Sequence, residues 1–340
     1  MSKYVLVTGG AGYIGSHTVV SLSENGYIPL ILDNFENANR SVLNGLHKIL
    51  GFEPILLEGD VCDNDFLKSI FLSYEIHGVI HFAAYKAVGE SVKEPLKYYK
   101  NNLLGLINIL NNMIEFRIKN LVFSSSCTVY GEPKGIKEMI EETPKNSPNS
   151  PYGWTKWMSE QIIEDVIKAN PSLNIAVLRY FNPVGAHKSV FIGEFPIGKP
   201  NNLMPYITQT AIGKQEKLIV FGNDYPTIDG TCVRDYIHVI DLAEAHVKAI
   251  SFLESKSGVL EAINIGTGKG LSVLEIINAF TIETGVQINW EFGPKRKGDV
   301  TEIFANANKA KTILGWEAKL SINDAINDAW NWEKKLAATK

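Results

Sequence analysis

Cysteine is scarce: the 340-residue chain has three, Cys62, Cys127 and Cys232. They are odd in number, far apart, and no two form a C-x-x-C pair. That excludes a structural zinc cluster and fits a reducing compartment. Long apolar runs are missing too. No stretch approaches the ~18 residues of a membrane span, and no charged-then-apolar leader opens the chain. Neither secretion nor membrane spanning is expected, and the predicted location is cytoplasmic. A basic excess is also lacking. The net charge is −4, with no basic stripe to set against it, which argues against a nucleic-acid partner. Repeats and low-complexity linkers are absent. What remains is ordinary globular composition, 45% hydrophobic and 21% charged, in a length that suits one large or two coupled domains.

Short runs rich in Val, Ile and Leu alternate with helical patterns through the first half. Tyr4 to Thr8, Ile28 to Asp33, Ile55 to Gly59, Val79 to Phe82, Leu121 to Ser124 and Ile175 to Arg179 read as six buried strands. Near-continuous apolar strands joined by helices imply a parallel sheet covered on both faces. Right-handed crossovers then favour an α/β, doubly wound, dinucleotide-binding arrangement. From Pro183 to about Asp235 the pattern becomes rich in Gly, Pro and Asn. A helical period returns from Asp241 to Leu253, with Leu242, Ala245, Ala249 and Phe252 on one face, and Ala262 to Ile265 reads as one more buried strand. The expected division is a first domain of residues 1–182, rejoined by about 236–265, and a smaller mixed α/β domain of 183–235 and 266–340. The tail from Glu333 to Lys340 reads as a frayed terminus.

The first strand runs into TGGAGYIGSH, with Gly9, Gly12 and Gly15 in G-x-x-G-x-x-G spacing around Tyr13 and Ile14. The glycines allow a tight turn, close approach of a diphosphate and tight packing of helix on strand, and the helix N-terminus offers free N–H groups to negative charge. Asp33, with Asn34 after it, ends the second strand. A carboxylate there accepts hydrogen bonds from ribose hydroxyls and repels a 2′-phosphate, which favours NAD over NADP. The alternative for Asp33 is a turn cap, because LDNFEN is also turn-like. Asp60 and Val61, after strand three, are placed at the adenine edge. After strand four, Phe82, Ala83 and Ala84 lie where the ligand crevice is expected, small Ala83 and Ala84 admit the cofactor, and Lys86 reaches its ribose or diphosphate. His81 reads as a packed strand-end histidine.

SPYGWTK puts Tyr152 and Lys156 one helical turn apart, with Ser150 as cap and Pro151 at the first helical position. Trp154, Met158, Ile162 and Val166 form a separate apolar stripe, so Tyr152 and Lys156 need not be core residues. A phenol with a pKa of about 10 is too weak a base at neutral pH. A nearby ammonium and a cationic nicotinamide both favour phenolate. Tyr152 is then able to take a hydroxyl proton as hydride leaves the same carbon. Ser126, at the end of strand five, is placed to hydrogen-bond that hydroxyl; Ser124 and Ser125 read more simply as a polar strand end.

The strings TGGAGYIG, SSSCTVYG and YGWTK resemble the extended short-chain dehydrogenase/reductase superfamily. RYFNPVGAH, NNLMPYI, FGNDYPTIDGTCVRDYIHVIDLA and KRKGD are similar to the UDP-galactose 4-epimerases within it, over nearly the whole chain. The resemblance implies a Rossmann first domain, bound NAD, UDP-galactose and UDP-glucose as substrates, no metal, and a homodimer. It implies that Tyr152 is the base, that Lys156 orients it and holds the nicotinamide ribose, and that Ser126 assists at the sugar. Asn101, Ser124 and Tyr180 fall on the cofactor side. Asn182, Asn202, Leu203, Phe221, Arg234, Arg296 and Asp299 match positions that hold the UDP-sugar, and Ile303 borders the space beside hexose C2. The arginines make independent sense, because guanidinium forks suit a diphosphate; without the resemblance they read as surface or ion-pair residues. Cys127 stands where many members have Ala and reads as an inert small residue.

Two rivals share the scaffold. A sugar-nucleotide 4,6-dehydratase or decarboxylase needs an acid just after the strand-five serines, where this chain has Cys127 and Thr128. A non-catalytic NAD sensor has no need of an intact Tyr152, Lys156 and Ser126. Fold alone does not separate these options.

Overall fold

The computed structural model describes residues 3–133, 135–296 and 298–338. In chain order the first half comprises β1 (Tyr4–Thr8), α1 (Tyr13–Glu24), β2 (Ile28–Asp33), α2 (Ser41–Leu50), β3 (Ile55–Glu58), α3 (Asn64–Ser73), β4 (Ile76–His81), α4 (Val88–Lys93), α5 (Pro95–Glu115), β5 (Asn120–Ser126), β6 (Glu138–Met139), α6 (Pro151–Ala169) and β7 (Asn174–Tyr180). The second half comprises β8 (Asn182–Val184), α7 (Leu203–Ala211), β9 (Leu218–Phe221), β10 (Val233–His238), α8 (Val239–Glu254), β11 (Val259–Ile265), β12 (Gly270–Ser272), α9 (Val273–Thr284), β13 (Trp290–Gly293), β14 (Glu302–Ala305) and α10 (Ile322–Ala338).

The seven strands read from apolar runs form one parallel sheet in the order β11-β7-β5-β4-β1-β2-β3. Val5, Leu6 and Val7 show why these segments cannot face water: all three are fully buried, with Val5 and Val7 in one apolar cluster and Leu6 in the other. Period-2 alternation sends neighbours to opposite faces, and helices cover both. The chain runs outward from β1 through β2 to β3, then returns to β4 on the other side of β1. The carboxyl ends of β1 and β4 thus diverge into a crevice, the usual ligand position in such sheets. Backbone bonds from Phe82 and Ala83 to the Thr8 carbonyl, 3.0 and 3.1 Å, tie the two strand ends together.

The Gly-, Pro- and Asn-rich middle is less irregular than its composition suggests. It contributes β8, α7, β9 and the start of β10. A second sheet has the order β12-β10-β14-β6 with β8 paired to β10, and β13 pairs with β9. Asp235 staples this sheet. Its fully buried carboxylate accepts from the backbone N–H groups of Thr267, Gly268 and Ala305 and from the Thr267 hydroxyl.

Two sequence expectations are corrected. The tail is not frayed through the described residues: α10 runs to Ala338, and Glu333 is buried and paired with Lys214; residues 339–340 lie outside the described set. The stripe on α6 is also misassigned. Trp154, Met158, Ile162 and Val166 are only half-buried, whereas Tyr152 and Lys156 lie on the buried face, 9% and 5% exposed. Among the described residues no helix is long and apolar enough to cross a membrane, and no three His, Cys, Asp or Glu side chains are grouped to hold a metal ion.

Candidate active site

One continuous cavity of about 950 Å³ runs from the β1–α1 loop to the second sheet, and every candidate residue assigned above lines it. The chain separates them by as much as 294 positions, Gly9 to Ile303, so the fold assembles them.

On the cofactor side the glycines are sterically required. Gly9 has φ +71°, and a Cβ there would stand 2.9 Å from the Ala83 nitrogen. A Cβ on Gly15 would stand 2.1 Å from the Gly9 carbonyl oxygen. Helix α1 starts at Gly12 with no side-chain cap and no acid in its first turn, which leaves its N–H groups for an anion. These features fit a dinucleotide diphosphate. Asp33 is both a turn cap and a candidate ribose acceptor: Oδ1 accepts from Phe35 N at 2.9 Å and Oδ2 from Ala11 N at 3.0 Å. A carboxylate has about four acceptor positions, so these two bonds do not exhaust a side chain that also lines the cavity. Asp60 is held by Cys62 N at 2.8 Å and Asn34 at 3.3 Å. His81 is buried with Nδ1 2.7 Å from Thr8 Oγ1, and burial lowers its pKa to about 3, so it is a neutral packing residue. Lys86 reaches across the cleft mouth to Glu194, 3.5 Å away.

The reactive cluster sits where the cofactor side meets the second sheet. Ser150 caps α6 by accepting from Gly153 N at 3.2 Å, and Pro151 takes the first helical position. That fixes Tyr152 in the first turn, packed against Tyr85 and Tyr98. Thr155 Oγ1 donates to the Tyr152 carbonyl at 2.7 Å and accepts from Asn102 Nδ2 at 3.0 Å. Lys156 Nζ donates to the Ser124 carbonyl at 2.6 Å, and Ser124 Oγ lies 2.6 Å from the Tyr180 hydroxyl. Burial lowers Lys156 to about 8. Burial also raises Tyr152 well above the ordinary phenol value, with a hydrogen bond to Ser126 working the other way. In the chain alone, therefore, desolvation dominates at Tyr152, and the Lys156 ammonium anticipated from the sequence is not among the leading influences. Cys127 is raised to about 11 by burial, which makes it a poor nucleophile.

On the far side, Arg234 and Ile303 are register partners on β10 and β14. Asp299 sits between the arginines, accepting from Arg296 Nε at 3.1 Å and standing 3.9 Å from Arg234 Nη2. Arg296 lies over the Phe221 ring at 4.7 Å. Asn202 donates to Glu194 at 2.6 Å. Sequence reasoning missed Glu194, Asn102, Tyr98 and Glu160, which support the assigned residues from behind or beside. A polar residue among the apolar positions of α5 was the available signal for Asn102; Glu160, on the polar buried face of α6, and Glu194 carried none.

The family model described as GDP-mannose 4,6 dehydratase matches residues 6–329. UDP-glucose 4-epimerase of Yersinia pestis is 52% identical over 332 residues, covering 98% of each chain. That of Bacillus subtilis (strain 168) is 50% identical over 97% of this chain and 96% of its own. A crystal structure of UDP-glucose 4-epimerase from Stenotrophomonas maltophila, with bound NAD and formylated UDP-arabinopyranose, is 44% identical with a TM-score of 0.96, covering 99% of this chain and 100% of that one. The Bifidobacterium longum enzyme in complex with NAD+ and UDP is also 44% identical, with a TM-score of 0.94 over 98% of each chain. The site just described and these likenesses agree: the chain belongs to the UDP-glucose 4-epimerase family of extended short-chain dehydrogenase/reductases.

Proposed function

We propose that the protein interconverts UDP-galactose and UDP-glucose at hexose C4, with NAD held throughout the cycle. The observation that carries this reading is the single cavity, in which Tyr152, Lys156 and Ser126 lie between an anion-ready glycine loop and a pair of arginines. Residues 1–182 with 236–265 hold the cofactor, and 183–235 with 266–340 hold the nucleotide sugar. Gly9, Gly12 and Gly15 face the dinucleotide diphosphate, Asp33 its adenine ribose, and Lys156 its nicotinamide ribose. The chemistry NAD supplies there is reversible hydride exchange at C4.

Tyr152, as phenolate, removes the proton of the C4 hydroxyl, and Ser126 hydrogen-bonds that oxygen through the step. Loss of this proton from oxygen together with loss of hydride from C4 would leave a 4-keto sugar. The hexose then turns about its diphosphate link while Arg234 and Arg296 keep the nucleotide in place. As C4 regains hydride on its opposite face, Tyr152 would return the proton to the oxygen, giving the inverted alcohol. Lys156 keeps positive charge beside the phenolate, which opposes the desolvation that favours the neutral phenol.

A 4,6-dehydratase requires a carboxyl group beside Ser126 for its second chemical step. Cys127 and Thr128 occupy that place, and a thiol raised to about 11 does not replace it. A cytoplasmic location and a homodimer complete the proposal; exposed Leu96, Ile107 and Ile114 along α5 offer apolar area to a second copy. The direct test is to mix purified protein with UDP-galactose, add no NAD, and assay for UDP-glucose. Formation of UDP-glucose supports the reading, and a 4-keto-6-deoxy product overturns it.

A further inference from the structure

The buried face of α6 carries Tyr152, Thr155, Lys156, Ser159, Glu160 and Ile163. Glu160 follows Lys156 by four residues and shares its side of the helix. It is 2% exposed, and both oxygens are engaged. Oε1 accepts from Ser125 Oγ at 2.6 Å and Arg179 Nε at 3.0 Å; Oε2 accepts from Arg179 Nη2 at 2.7 Å and Lys145 Nζ at 3.3 Å. Ser125 lies between Ser124 and Ser126 on β5, and Arg179 precedes Tyr180 on β7. Strand alternation turns Ser125 and Arg179 away from the cavity that their neighbours line. One carboxylate therefore joins, from behind, three elements that carry the reactive groups.

We propose that Glu160 is a positioning residue for the epimerisation, resting on the function proposed above: anchored on Arg179 and Ser125, it fixes the helix bearing Tyr152 and Lys156 against the strands bearing Ser126 and Tyr180.

A buried ion pair is often replaced by apolar side chains without loss of stability, so stability alone does not account for a charge here. Its electrostatic neighbours give it a different use. Around Lys156 stand neutral His81 from β4, the Phe123 ring and the Ser124 carbonyl from β5, and Glu160 on its own helix, with Tyr152 one helical turn before it. Around Glu160 stand Arg179 from β7 and Lys145 from the segment before α6; Lys145 also pairs with Glu164 at 3.3 Å. Arg179 spends its remaining donor on the Tyr130 hydroxyl and the Glu141 carbonyl, both at 3.1 Å, while the Glu141 carboxylate accepts from Asn264 N. Glu160 is the anion that faces both Lys156 and Arg179. Burial lowers Lys156, and Glu160 raises it in opposition. Without Glu160 the ammonium is lost at lower pH, so the alkaline limb of turnover moves in the acid direction.

The test compares wild type, Glu160→Gln, Glu160→Asp and the double variant Glu160→Met with Arg179→Met, each as the NAD-loaded enzyme. Turnover of UDP-galactose by the wild type tests the parent reading separately. The double variant removes the buried pair at similar volume and is expected to retain the fold where Glu160→Gln strands Arg179. In either folded variant, kcat is expected to fall at least tenfold and its alkaline limb to move down by about one pH unit, the lower end of the effect of a nearby opposite charge. UDP affinity by calorimetry is expected to stay at wild type, and Glu160→Asp to recover the wild-type limb. A folded variant with the wild-type pH profile and kcat overturns the proposal. So does loss of folding in both charge-removing variants together with a wild-type profile in Glu160→Asp, because a stability role then suffices.

Discussion

The two walls of the cleft are built differently. The cofactor wall is the carboxyl edge of a seven-stranded parallel sheet whose loops leave no slack: a Cβ at Gly15 has 2.1 Å to the Gly9 carbonyl. The nucleotide-sugar wall is the edge of strands two to six residues long, with recognition groups near the surface. Arg296 is 55% exposed there and Phe221 37%. The difference matches the chemistry proposed. A cofactor regenerated in every cycle gains from a rigid seat, whereas a hexose that must turn over needs a firm hold on the nucleotide and little on the sugar.

The strongest way to break this contrast is Gly15→Ala. The added methyl cannot be accommodated unless the loop backbone moves, which destroys the seat for the diphosphate. Wild-type protein, denatured and analysed by mass spectrometry, is expected to release NAD, and Gly15→Ala to release none. Retained NAD in the variant would show that the loop is far more compliant than its geometry indicates.

Next in size is Tyr152→Phe. Loss of the base is expected to lower kcat at least about a hundredfold, the usual scale of general acid–base catalysis. UDP affinity is expected to be unchanged, because the arginines lie on the opposite wall. Near wild-type turnover would remove Tyr152 from the base role.

The same contrast governs how much could be read from the sequence. The parallel strands announce themselves as apolar runs because both faces of the sheet are covered. The glycine loop is readable because its steric demand admits one residue type. The second sheet is not readable: β6 is only Glu138–Met139, and β12 only three residues, too short for any period. Helix α6 misled for a related reason. Its buried face is polar, satisfied by Arg179, Ser125 and Asn102 from distant segments, so the apolar stripe pointed to the less buried side. Arg234 and Arg296 carry no local pattern, and only the resemblance brought them to the site.

The substrate wall is probed by Arg234→Ala and Arg296→Ala. Each is expected to weaken UDP and UDP-glucose alike, by about 1.5–3 kcal/mol for a charged hydrogen bond. Arg296, more than half exposed, belongs at the low end, because water replaces part of what it offers. Calorimetry with UDP and with UDP-glucose separates the cases; a loss confined to the sugar nucleotide would move the residue to the hexose pocket.

The smallest effect on substrate handling is expected at Ile303, on β14 of the second sheet. It lines the cavity, yet it is 3% exposed and packs with Val129, Tyr130, Met139, Phe181 and Ala305. Most of its surface therefore serves the core, and a minority faces the sugar. Ile303→Ala is expected to cost about 2–4 kcal/mol of stability, as large-to-small core substitutions do, read as a lower melting temperature. The space opened is continuous with the cavity and admits an N-acetyl group only in part. The ratio of kcat/KM for UDP-N-acetylgalactosamine to that for UDP-galactose is thus expected to rise by no more than about tenfold, the low end for a single methylene in a pocket. A much larger rise would make Ile303 the gate to the sugar, while an unchanged ratio with the lower melting temperature would make it a core residue alone.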